Sequence, residues 1–486
     1  MLKNKNIVEI IFFCIIVIST LMHFQHFNKE LVSNHSWRQT QTQSTINSFY
    51  KEDMNILNPR RNERGNTEGI FRMEFPIMQW IVACLYKIFG NHLIISRIFM
   101  FVIGLLSVFG IYKLLDTLFQ NKILAIIGAW AFNFSPSFYY YTINPLPDNF
   151  ALCFSIWGLI FFFLWYSNNS KIFYLVLTGL FLSIGALAKL PFIIYFIIPI
   201  VHFAILLIKN GINKKWLLQT ISCFSFALLP LAWYLYVING WEGNPIVGGI
   251  LTNEKSFTEV LSYWKFNLMS TLPELLLNYG SVIPFLLAFF YIFKNKVYKN
   301  TKFILLISLS IIVLVYYFFE ANAIGKNHDY YLFPFYPLLF ILVAYGAFNL
   351  YNSKNKFLKY FALISLFLLP VFCHLRMKDR WNLDSPGFNK DLLIYKNELR
   401  NAIQNDALVV AGNDESHFRF LYYIDKKGWG FQDDNLNAEN LKIMIDNGAE
   451  YLYTDSNKII ENQDINNLIE NIVLKKGSIK ILKLKK

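Results

Sequence analysis

The chain has 486 residues, of which 55% are hydrophobic, 18% aromatic and only 16% charged, and its formal net charge is +13. Soluble proteins of this length carry more charge, and apolar runs near 20 residues, long enough to cross hydrocarbon, recur along the chain. The composition therefore excludes an ordinary soluble protein and predicts a polytopic α-helical membrane protein. Lysines in cytosolic loops account for the positive charge, so no nucleic-acid partner is expected.

Eleven apolar segments are predicted to span the membrane. They lie near Ile7–Phe24, Leu93–Leu115, Leu124–Tyr141, Asn149–Tyr166, Ile172–Ala188, Leu190–Ile208, Trp216–Ile238, Leu275–Phe293, Phe303–Phe319, Tyr330–Leu350 and Phe357–Phe372. The stretch Pro76–Phe89 is apolar but short, so we expect an interfacial or re-entrant helix there instead of a full crossing.

The lysines predict the orientation of these segments. With the N-terminus in the cytosol, the lysine-rich connectors Lys209–Lys215, Lys294–Lys302 and Asn352–Lys359 all fall on the cytosolic side, as the positive-inside rule requires. Eleven spans then place the C-terminus outside. We expect a membrane domain over residues 1–375, including a long first outer loop at 25–92, followed by an extracytoplasmic domain at 376–486.

The C-terminal residues 376–486 are more polar than the rest of the chain and alternate between two patterns. Short strands are predicted at Leu408–Ala411, Tyr451–Tyr453 and Ile479–Leu482, and amphipathic helices at Leu392–Gln404, Ala438–Asn447 and Asp464–Val473. This alternation predicts a small α/β domain outside the membrane.

Polar clusters recur at the predicted outer face of the membrane. They are the stretch 35–80 within the first outer loop, the loop Asn144–Asn149, Lys189 between two spans, and the loop Gly325–Tyr331. Ionisable groups at membrane depth are costly and usually mark function or a paired partner. Carboxylates and cations above apolar walls suit a lipid-linked anionic substrate. The cysteines (Cys14, Cys84, Cys153, Cys223 and Cys373) lie in apolar segments without metal-ligand spacing and are predicted to be free thiols.

The motifs WRQ…EFP…QW, PLPD, ALAK and HDYYLFPFYP follow one another between about Ile7 and Leu350. Their order resembles the GT-C superfamily of integral-membrane glycosyltransferases, and most closely glycosyltransferase family 39, which includes aminoarabinose and protein O-mannosyl transferases. The resemblance implies a GT-C-like fold, a polyprenyl-phosphate sugar donor, inverting transfer outside the membrane and an acidic residue in the long first outer loop.

The chain departs from the common family pattern at the expected base. That pattern has an Asp-Glu pair just after the first span, where this chain has HSWRQTQT, and the nearest acids are Glu52, Asp53 and Glu74. A carboxylate is needed to take the proton of the acceptor hydroxyl, and an anion stabilises an oxocarbenium-like transition state. We predict Glu74 as the base and Asp148 as a second carboxylate that positions the acceptor or a metal. A divalent metal ion held by Asp148 and Glu74 stays open, and no other cofactor is expected.

The phosphate leaving group needs fixed cations, and Arg38, Lys189 and His328 are the predicted donor-phosphate ligands. The predicted substrate-lining residues are Trp37, Gln39, Tyr330 and Tyr331. Several of these site residues also have a purely structural interpretation. Glu74 and Asp148 suit helix N-termini, and the Lys189 side chain could extend to the membrane interface without binding a substrate. Asp414, Glu415 and His417 in the C-terminal region look like a site but lack metal-ligand spacing, and a solvated loop is favoured.

The function predicted from the sequence is a glycosyltransferase that moves a sugar from a polyprenyl-phosphate donor to a glycolipid, glycan or protein in a bacterial cytoplasmic membrane. The main alternative is a transporter or flippase of lipid-linked saccharides, which would more often show inverted repeats and broken helices at mid-membrane. A structural protein would not need ionisable groups beside several separate spans.

Overall fold

The computed structural model describes residues 2–167, 171–241, 245–252 and 255–485, and it divides into two compact units. The first comprises Met1–Phe27, Met73–Phe75 and Arg97–Met377, and the second comprises Asn28–Arg72, Pro76–Ser96 and Lys378–Lys486. The predicted domain boundary at 375/376 lies close to the end of the first unit. Most of the long loop at 25–92, which we assigned to the membrane domain, groups with the C-terminal residues.

Helices make up most of the chain before residue 378. The described α-helices there are Leu2–His23, Ser36–Lys51, Ile77–Phe89, Leu93–Phe119, Lys122–Asn133, Pro136–Tyr141, Pro147–Ser167, Ile172–Ala188, Ile197–Asn210, Lys214–Phe224, Leu228–Val237, Pro245–Gly248, Phe257–Phe266, Tyr279–Lys294, Thr301–Phe319, Ala321–Ile324, Tyr336–Tyr351 and Lys356–Met377. Two 3₁₀ segments, Leu190–Phe196 and Asp329–Phe335, begin directly after Lys189 and His328.

Within the described ranges, eight helical segments are long and apolar enough to cross a membrane. They are Ile7–His26, Leu93–Phe119, Pro147–Ser167, Leu190–Asn210, Lys214–Gly240, Thr301–Phe319, Asp329–Tyr351 and Lys356–Trp381. A ninth forms if Phe257–Leu276 and Tyr279–Lys294, which are bent by 113°, count as one span. The prediction of a polytopic helical membrane protein is therefore confirmed.

Two of the eleven predicted spans are shorter helices. Instead of one helix at Leu124–Tyr141, the chain forms Lys122–Asn133 and Pro136–Tyr141, because Ser135 is extended and Pro136 starts a new helix. The segment Ile172–Ala188 has the predicted bounds but only 17 residues. Length and composition thus support eight or nine spans in the described chain, fewer than the eleven predicted.

A bend at Asn278 separates Phe257–Leu276 from Tyr279–Lys294. The π-helical turns Asn267–Leu276, with Pro273 inside, precede it, and Asn278 itself has a positive φ of 66°. Its buried side-chain amide donates to the carbonyls of Phe134 and Leu369 at 2.9 and 3.0 Å. These two hydrogen bonds hold the backbone at the bend between the two helices.

The C-terminal region of the second unit contains a five-stranded mixed sheet. Its strands are β1 (Leu408–Gly412), β2 (Lys427–Gly430), β3 (Ala449–Thr454), β4 (Ile469–Lys476) and β5 (Ile479–Leu484), in the order β2-β1-β3-β5-β4. Strand β1 runs parallel to β2 and β3, and β5 is antiparallel to β3 and β4. The helices of this region are Asp391–Ile394, Lys396–Asn401, Arg419–Ile424, Ala438–Asp446, Asn457–Glu461 and Gln463–Asn466. The predicted α/β domain is confirmed.

Helices cover both faces of this sheet. Val409 and Ala411 of β1 pack with Leu421 of Arg419–Ile424 on one face, and Val410 packs with Leu441 of Ala438–Asp446 on the other. Successive strand residues point to opposite faces, so the β1–β2 and β2–β3 connections lie on different sides of the sheet.

Two of the predicted elements in this region are wrong. The helix predicted at Asp464–Val473 is a short helix, Gln463–Asn466, followed by the edge strand β4, which pairs with β5 across a turn at Gly477 with a φ of 58°. The single helix predicted at Leu392–Gln404 is interrupted at Tyr395. Apolar residues three or four apart indicated helices, but pairing with β5 decided the conformation of β4.

The polar segment Ser36–Lys51 is a helix, and most of its side chains are buried in the second unit. Gln43 donates to the Tyr86 hydroxyl at 2.8 Å, and Lys51 forms an ion pair with Asp425 at 2.6 Å. The helix therefore buries polar side chains, and hydrogen bonds stabilise these buried groups.

Candidate active site

Asp148 and Lys189 form a buried ion pair in the first unit. The Lys189 Nζ lies 3.7 Å from the Asp148 Oδ1, and the two residues are 6% and 1% exposed. Asp148 is the second residue of Pro147–Ser167, where the helix dipole favours an acid. Lys189 follows the end of Ile172–Ala188 in an extended conformation. The fold thus joins two residues that we predicted separately, and each charge gains the partner that burial demands.

The loop before Asp148 is held by a buried arginine. The Arg97 guanidinium donates to the Asn144 Oδ1 at 2.8 Å and to the Ile143 carbonyl at 3.3 Å. Asn144 also donates to the Tyr140 carbonyl at 2.9 Å. These bonds fix the backbone that leads into Pro147 and so position the Asp148 carboxylate.

Aromatic residues surround the Lys189 ammonium and the loop that follows residue 325. The Lys189 Nζ lies 5.0 Å from the centre of the Tyr331 ring, a cation–π distance. The Tyr330 and Tyr331 rings stack with centroids 4.9 Å apart, and the His328 ring contacts both at 5.7 Å. The structure therefore brings the predicted residues Lys189, His328, Tyr330 and Tyr331 together beside Asp148.

His328 is held in a defined orientation. Its Nδ1 lies 2.8 Å from the Ala323 carbonyl, an oxygen that only accepts, so Nδ1 carries the proton in this arrangement. Burial lowers the pKa of His328, and the Lys189 charge acts in the same direction, against the Ala323 bond and the Asp329 charge. At neutral pH the imidazole is therefore neutral, with Nε2 as the unprotonated nitrogen.

Glu74 lies in a short segment that is anchored on both sides. The Met73 carbonyl accepts from the Trp233 Nε1 at 2.9 Å, and the Phe75 amide donates to the Leu187 carbonyl at 2.9 Å. Both carboxylates, Glu74 and Asp148, lie close enough to the Tyr234 hydroxyl for their charges to act on it. The predicted pair of carboxylates therefore lies in one part of the first unit.

The Tyr234 hydroxyl also fixes the end of the helix that precedes Lys189. It donates to the carbonyls of Ala186 and Leu187 at 3.0 and 3.1 Å. Glu74 is therefore tied through its neighbour Phe75 to Leu187, two residues before Lys189. Sequence reasoning missed Tyr234, because it lies within the apolar segment Leu228–Val237 with no polar neighbour.

Asp329 is a buried carboxylate that the sequence analysis quoted in a motif but did not assign. It accepts from the Ser137 and Tyr141 hydroxyls and is 4% exposed. These bonds attach the 3₁₀ segment Asp329–Phe335 to the helix Pro136–Tyr141. The Asp329 carboxylate therefore fixes the adjacent His328 and Tyr330. Its position directly after His328 was the available signal.

Glu320 is a second acid that the sequence analysis missed. It caps the helix Thr301–Phe319 and is half-buried, and burial raises its pKa to about 7. The charges of Glu320 and Asp148 both act on Tyr316, whose hydroxyl donates to the Tyr331 carbonyl at 2.9 Å. Glu320 thus belongs to the same electrostatic environment as Asp148.

The remaining predicted site residues lie on the helix Ser36–Lys51 of the second unit. Arg38 is buried and donates to the Gln41 Oε1, Gln39 is buried and donates to the Asn34 carbonyl at 2.9 Å, and Trp37 is half-buried. Their participation in the site of the first unit stays a prediction.

The described residues include no group of three His, Cys, Asp or Glu side chains that could hold a metal ion. Of the two acids predicted as possible metal ligands, Asp148 is paired with the Lys189 ammonium, which competes electrostatically with a cation. Metal binding by Asp148 and Glu74 stays a prediction.

One protein-family model matches part of the chain. Residues 74–234 match the model of the dolichyl-phosphate-mannose-protein mannosyltransferase family. The matched range begins at Glu74 and contains Asp148, Lys189 and Tyr234. A search of curated proteins finds no match.

Solved structures resemble the whole fold. The apo structure of ArnT from Cupriavidus metallidurans matches with a TM-score of 0.67 at 10% identity, over 99% of this chain and 98% of that one. The same protein bound to undecaprenyl phosphate matches with a TM-score of 0.65 at 10% identity, over 97% of each chain. An oligosaccharyltransferase from Archaeoglobus fulgidus, in complex with Zn and sulfate, matches with a TM-score of 0.62 at 12% identity, over 95% of this chain and 71% of that one. These likenesses confirm the predicted fold.

Proposed function

We propose that this GT-C-type membrane glycosyltransferase moves a sugar from a polyprenyl-phosphate donor to a glycolipid, glycan or protein acceptor, with inversion at the anomeric carbon. The observation that carries the proposal is the clustering of Glu74, Asp148 and Lys189, all within the range that matches the mannosyltransferase family model. The donor class is supported by the dolichyl phosphate in that family's name and by the undecaprenyl phosphate bound to the Cupriavidus protein.

Glu74 is assigned as the base. As the acceptor hydroxyl attacks the anomeric carbon, its proton passes to the Glu74 carboxylate, a new carbon–oxygen bond forms, and the bond to the phosphate oxygen breaks with its electron pair. The backbone bonds of Met73 and Phe75 hold Glu74 in place, which lowers the cost of orienting the base. Asp148 is less suited to this step because Lys189 already stabilises its charged form.

Lys189 is assigned to the leaving phosphate. Its ammonium is buried beside Asp148 and the Tyr331 ring, in a low-dielectric environment that strengthens attraction to a phosphate. Asp148 orients the ammonium and positions the acceptor. The planar guanidinium of Arg38 would suit paired phosphate oxygens, and a role for Arg38, Trp37 and Gln39 of the second unit in donor binding stays a prediction from the sequence.

We also propose that His328 binds this phosphate, and its surroundings determine the protonation state in which it can do so. In the neutral form its one N–H is engaged with the Ala323 carbonyl, so binding a phosphate through Nε2 requires protonation. A bound phosphate would itself favour that protonation. Tyr330 and Tyr331 present the stacked aromatic wall of the donor site.

The matched family model describes mannosyltransferases and one matched structure is an oligosaccharyltransferase, which favours transfer over the transporter alternative. We also propose a location in a bacterial cytoplasmic membrane with the N-terminus in the cytosol, supported by the lysine-rich connectors, and with the site and the C-terminal domain on the outer side.

The experiment that tests the proposed function uses purified protein in liposomes with a polyprenyl-phosphate sugar and membrane extract as the source of acceptor. We expect release of free polyprenyl phosphate and stoichiometric appearance of sugar on the acceptor. Movement of intact donor across the bilayer without release of polyprenyl phosphate would instead support the transporter alternative.

A further inference from the structure

The C-terminal sheet carries a cavity that the proposed chemistry does not use. Its volume is about 240 Å³, and its lining includes Phe388, Asn389, Asn413, Asp414, Glu415 and Gln432. Asn413 follows the last residue of β1, and Gln432 lies two residues after the end of β2. The cavity therefore opens at the carboxyl ends of the parallel strands.

The topology of the sheet makes this edge a favoured place for a ligand. The chain passes from β1 to its neighbour β2 and then crosses to β3, which lies on the other side of β1. The helices of these two connections lie on opposite faces of the sheet. In open α/β sheets, ligands bind in the crevice outside the carboxyl ends of strands where the strand order reverses. The side chain of Asp455, next after β3, accepts from the Asn413 amide at 2.9 Å and from Asn389 at 2.6 Å, and so joins the ends of β1 and β3.

The charge of the cavity selects against anions. The guanidinium of Arg419, which lines the cavity, lies 2.9 Å from the Asp414 carboxylate and also donates to the Gly387 carbonyl at 2.6 Å. This pairing neutralises Asp414, while the exposed carboxylate of Glu415 adds a negative charge at the rim. A phosphate group here would meet uncompensated like charge.

The free polar groups of the cavity suit hydroxyls. The side chains of Glu415 and Gln432 make no hydrogen bond with any described residue, so they offer a carboxylate acceptor and an amide that both donates and accepts. Phe388 supplies a half-buried aromatic wall, and its ring stacks on Tyr423 at 4.8 Å. Neighbouring hydroxyls on a ring with an apolar face match this combination of groups. A half-open cavity of this size fits one sugar ring better than an extended peptide.

We propose that this cavity is a carbohydrate-binding site that takes one neutral or cationic sugar residue of a glycan acceptor. The proposal that the cavity binds a sugar does not depend on the transferase assignment. The role of the cavity in holding the acceptor rests on the proposed function. The site would keep the acceptor glycan on the enzyme between encounters with the donor.

The test is saturation-transfer NMR on the full chain in lipid nanodiscs, with methyl glucoside, methyl galactoside and methyl mannoside as probes and inorganic phosphate as the anionic comparison. The double variant Glu415→Ala, Gln432→Ala removes the two free polar groups. Glu439→Ala, which removes an exposed carboxylate from the helix Ala438–Asp446 of the same domain, is the matched control.

We expect at least one glycoside to bind wild type and Glu439→Ala equally, and to bind the double variant at least tenfold more weakly, because each lost bond to a charged or amide partner weakens binding. Equal binding to the double variant overturns the proposal, as does the absence of binding by every glycoside, or binding of phosphate alone. Asp148→Asn should bind the glycoside normally. If wild type binds the glycoside but transfers no sugar and releases no polyprenyl phosphate, the proposed function fails while the sugar site stands.

Discussion

The two predicted catalytic carboxylates occupy different environments. Asp148 is buried and paired with the Lys189 ammonium, whereas Glu74 is half-buried between two anchored neighbours. Titratable groups whose environments differ in this way usually take different roles in acid–base chemistry. This difference, and not the sequence motif, is the physical reason for assigning proton transfer to Glu74 and orientation to Asp148.

Replacing Lys189 tests whether the buried ion pair is structural, functional or both. Lys189→Met leaves the Asp148 charge buried without its ammonium, which we expect to lower the free energy of unfolding by about 3 kcal/mol. Adding Asp148→Asn should restore most of that stability, because the remaining group is neutral. Thermal unfolding of the single and double variants in detergent measures this coupling. Sugar transfer should stay abolished in the double variant, and recovery of transfer together with stability would contradict the phosphate role of Lys189.

The raised pKa of Glu320 predicts that donor binding depends on pH. Because burial raises its pKa to about 7, this carboxyl is mostly neutral at pH 6 and mostly charged at pH 8. Its charge acts on Tyr316 together with that of Asp148, so deprotonation adds negative charge near the proposed phosphate site. We expect the KM for the donor to rise between pH 6 and 8, with a midpoint near 7.

The matched comparison is Glu320→Gln, whose amide stays neutral across this range. Initial rates at several donor concentrations between pH 5.5 and 8.5 separate KM from kcat. We expect the rise in KM to disappear in the variant. An unchanged midpoint near 7 would assign the titration to another group.

At the scale of elements, the bend at Asn278 explains why one predicted span at Leu275–Phe293 became a bent pair of helices. The bend needs a residue that tolerates a positive φ and donates to two carbonyls, and asparagine does both. Apolar length alone indicated a continuous span there, since the signal of the bend is a single polar residue.

Substitutions at Asn278 should reveal the two contributions separately. Asn278→Gly keeps the backbone conformation but loses both hydrogen bonds, whereas Asn278→Ala loses the bonds and adds strain of about 1 kcal/mol at a positive φ. The unfolding temperature should therefore decrease from wild type to Asn278→Gly and further to Asn278→Ala. Equal stability of the two variants would indicate that the backbone is free to relax.

Sequence patterns predicted the elements whose cause is local. Apolar length located the membrane helices, and alternating residues located β1, β3 and β5. Strand β2, with the sequence KGWG, was missed because its glycines give no alternation, and β4 was misassigned because its pairing with β5 is not encoded in its own periodicity. The helix Ser36–Lys51 was missed because its polar residues hide the periodicity on which helix prediction depends.

The candidate site was predictable in part for a similar reason. Asp148, Lys189 and His328 interrupt apolar sequence, and such interruptions are visible in the chain alone. Tyr234 has no such contrast. Glu320 directly follows the apolar helix Thr301–Phe319 and was overlooked, and the relation of both residues to the carboxylates arises from packing between distant segments. The Asp148–Lys189 pairing likewise follows from the fold, since 41 positions separate the two residues in sequence.

At the scale of the whole molecule, the proposed function requires a fixed orientation of the protein in the membrane. A cysteine-free background with Glu439→Cys or Lys299→Cys places one exposed thiol in the C-terminal domain or in a lysine-rich connector. We expect a membrane-impermeant maleimide to label Glu439→Cys in intact cells, and Lys299→Cys only after permeabilisation. The opposite pattern would invert the proposed orientation and place the site on the cytosolic side.

The initial rates of sugar transfer by Glu74→Gln and Asp148→Asn decide whether this cluster is the active site, with Asp116→Asn as the control carboxylate in the same unit. Loss of a general base usually costs a factor of about 10² to 10⁴. We predict at least a hundredfold loss for Glu74→Gln, a strong loss for Asp148→Asn and full activity in Asp116→Asn. All three variants should fold, but Asp148→Asn should unfold at a lower temperature because it leaves the Lys189 ammonium buried without its carboxylate. Wild-type rates in both Glu74→Gln and Asp148→Asn would contradict the assignment of this cluster as the active site.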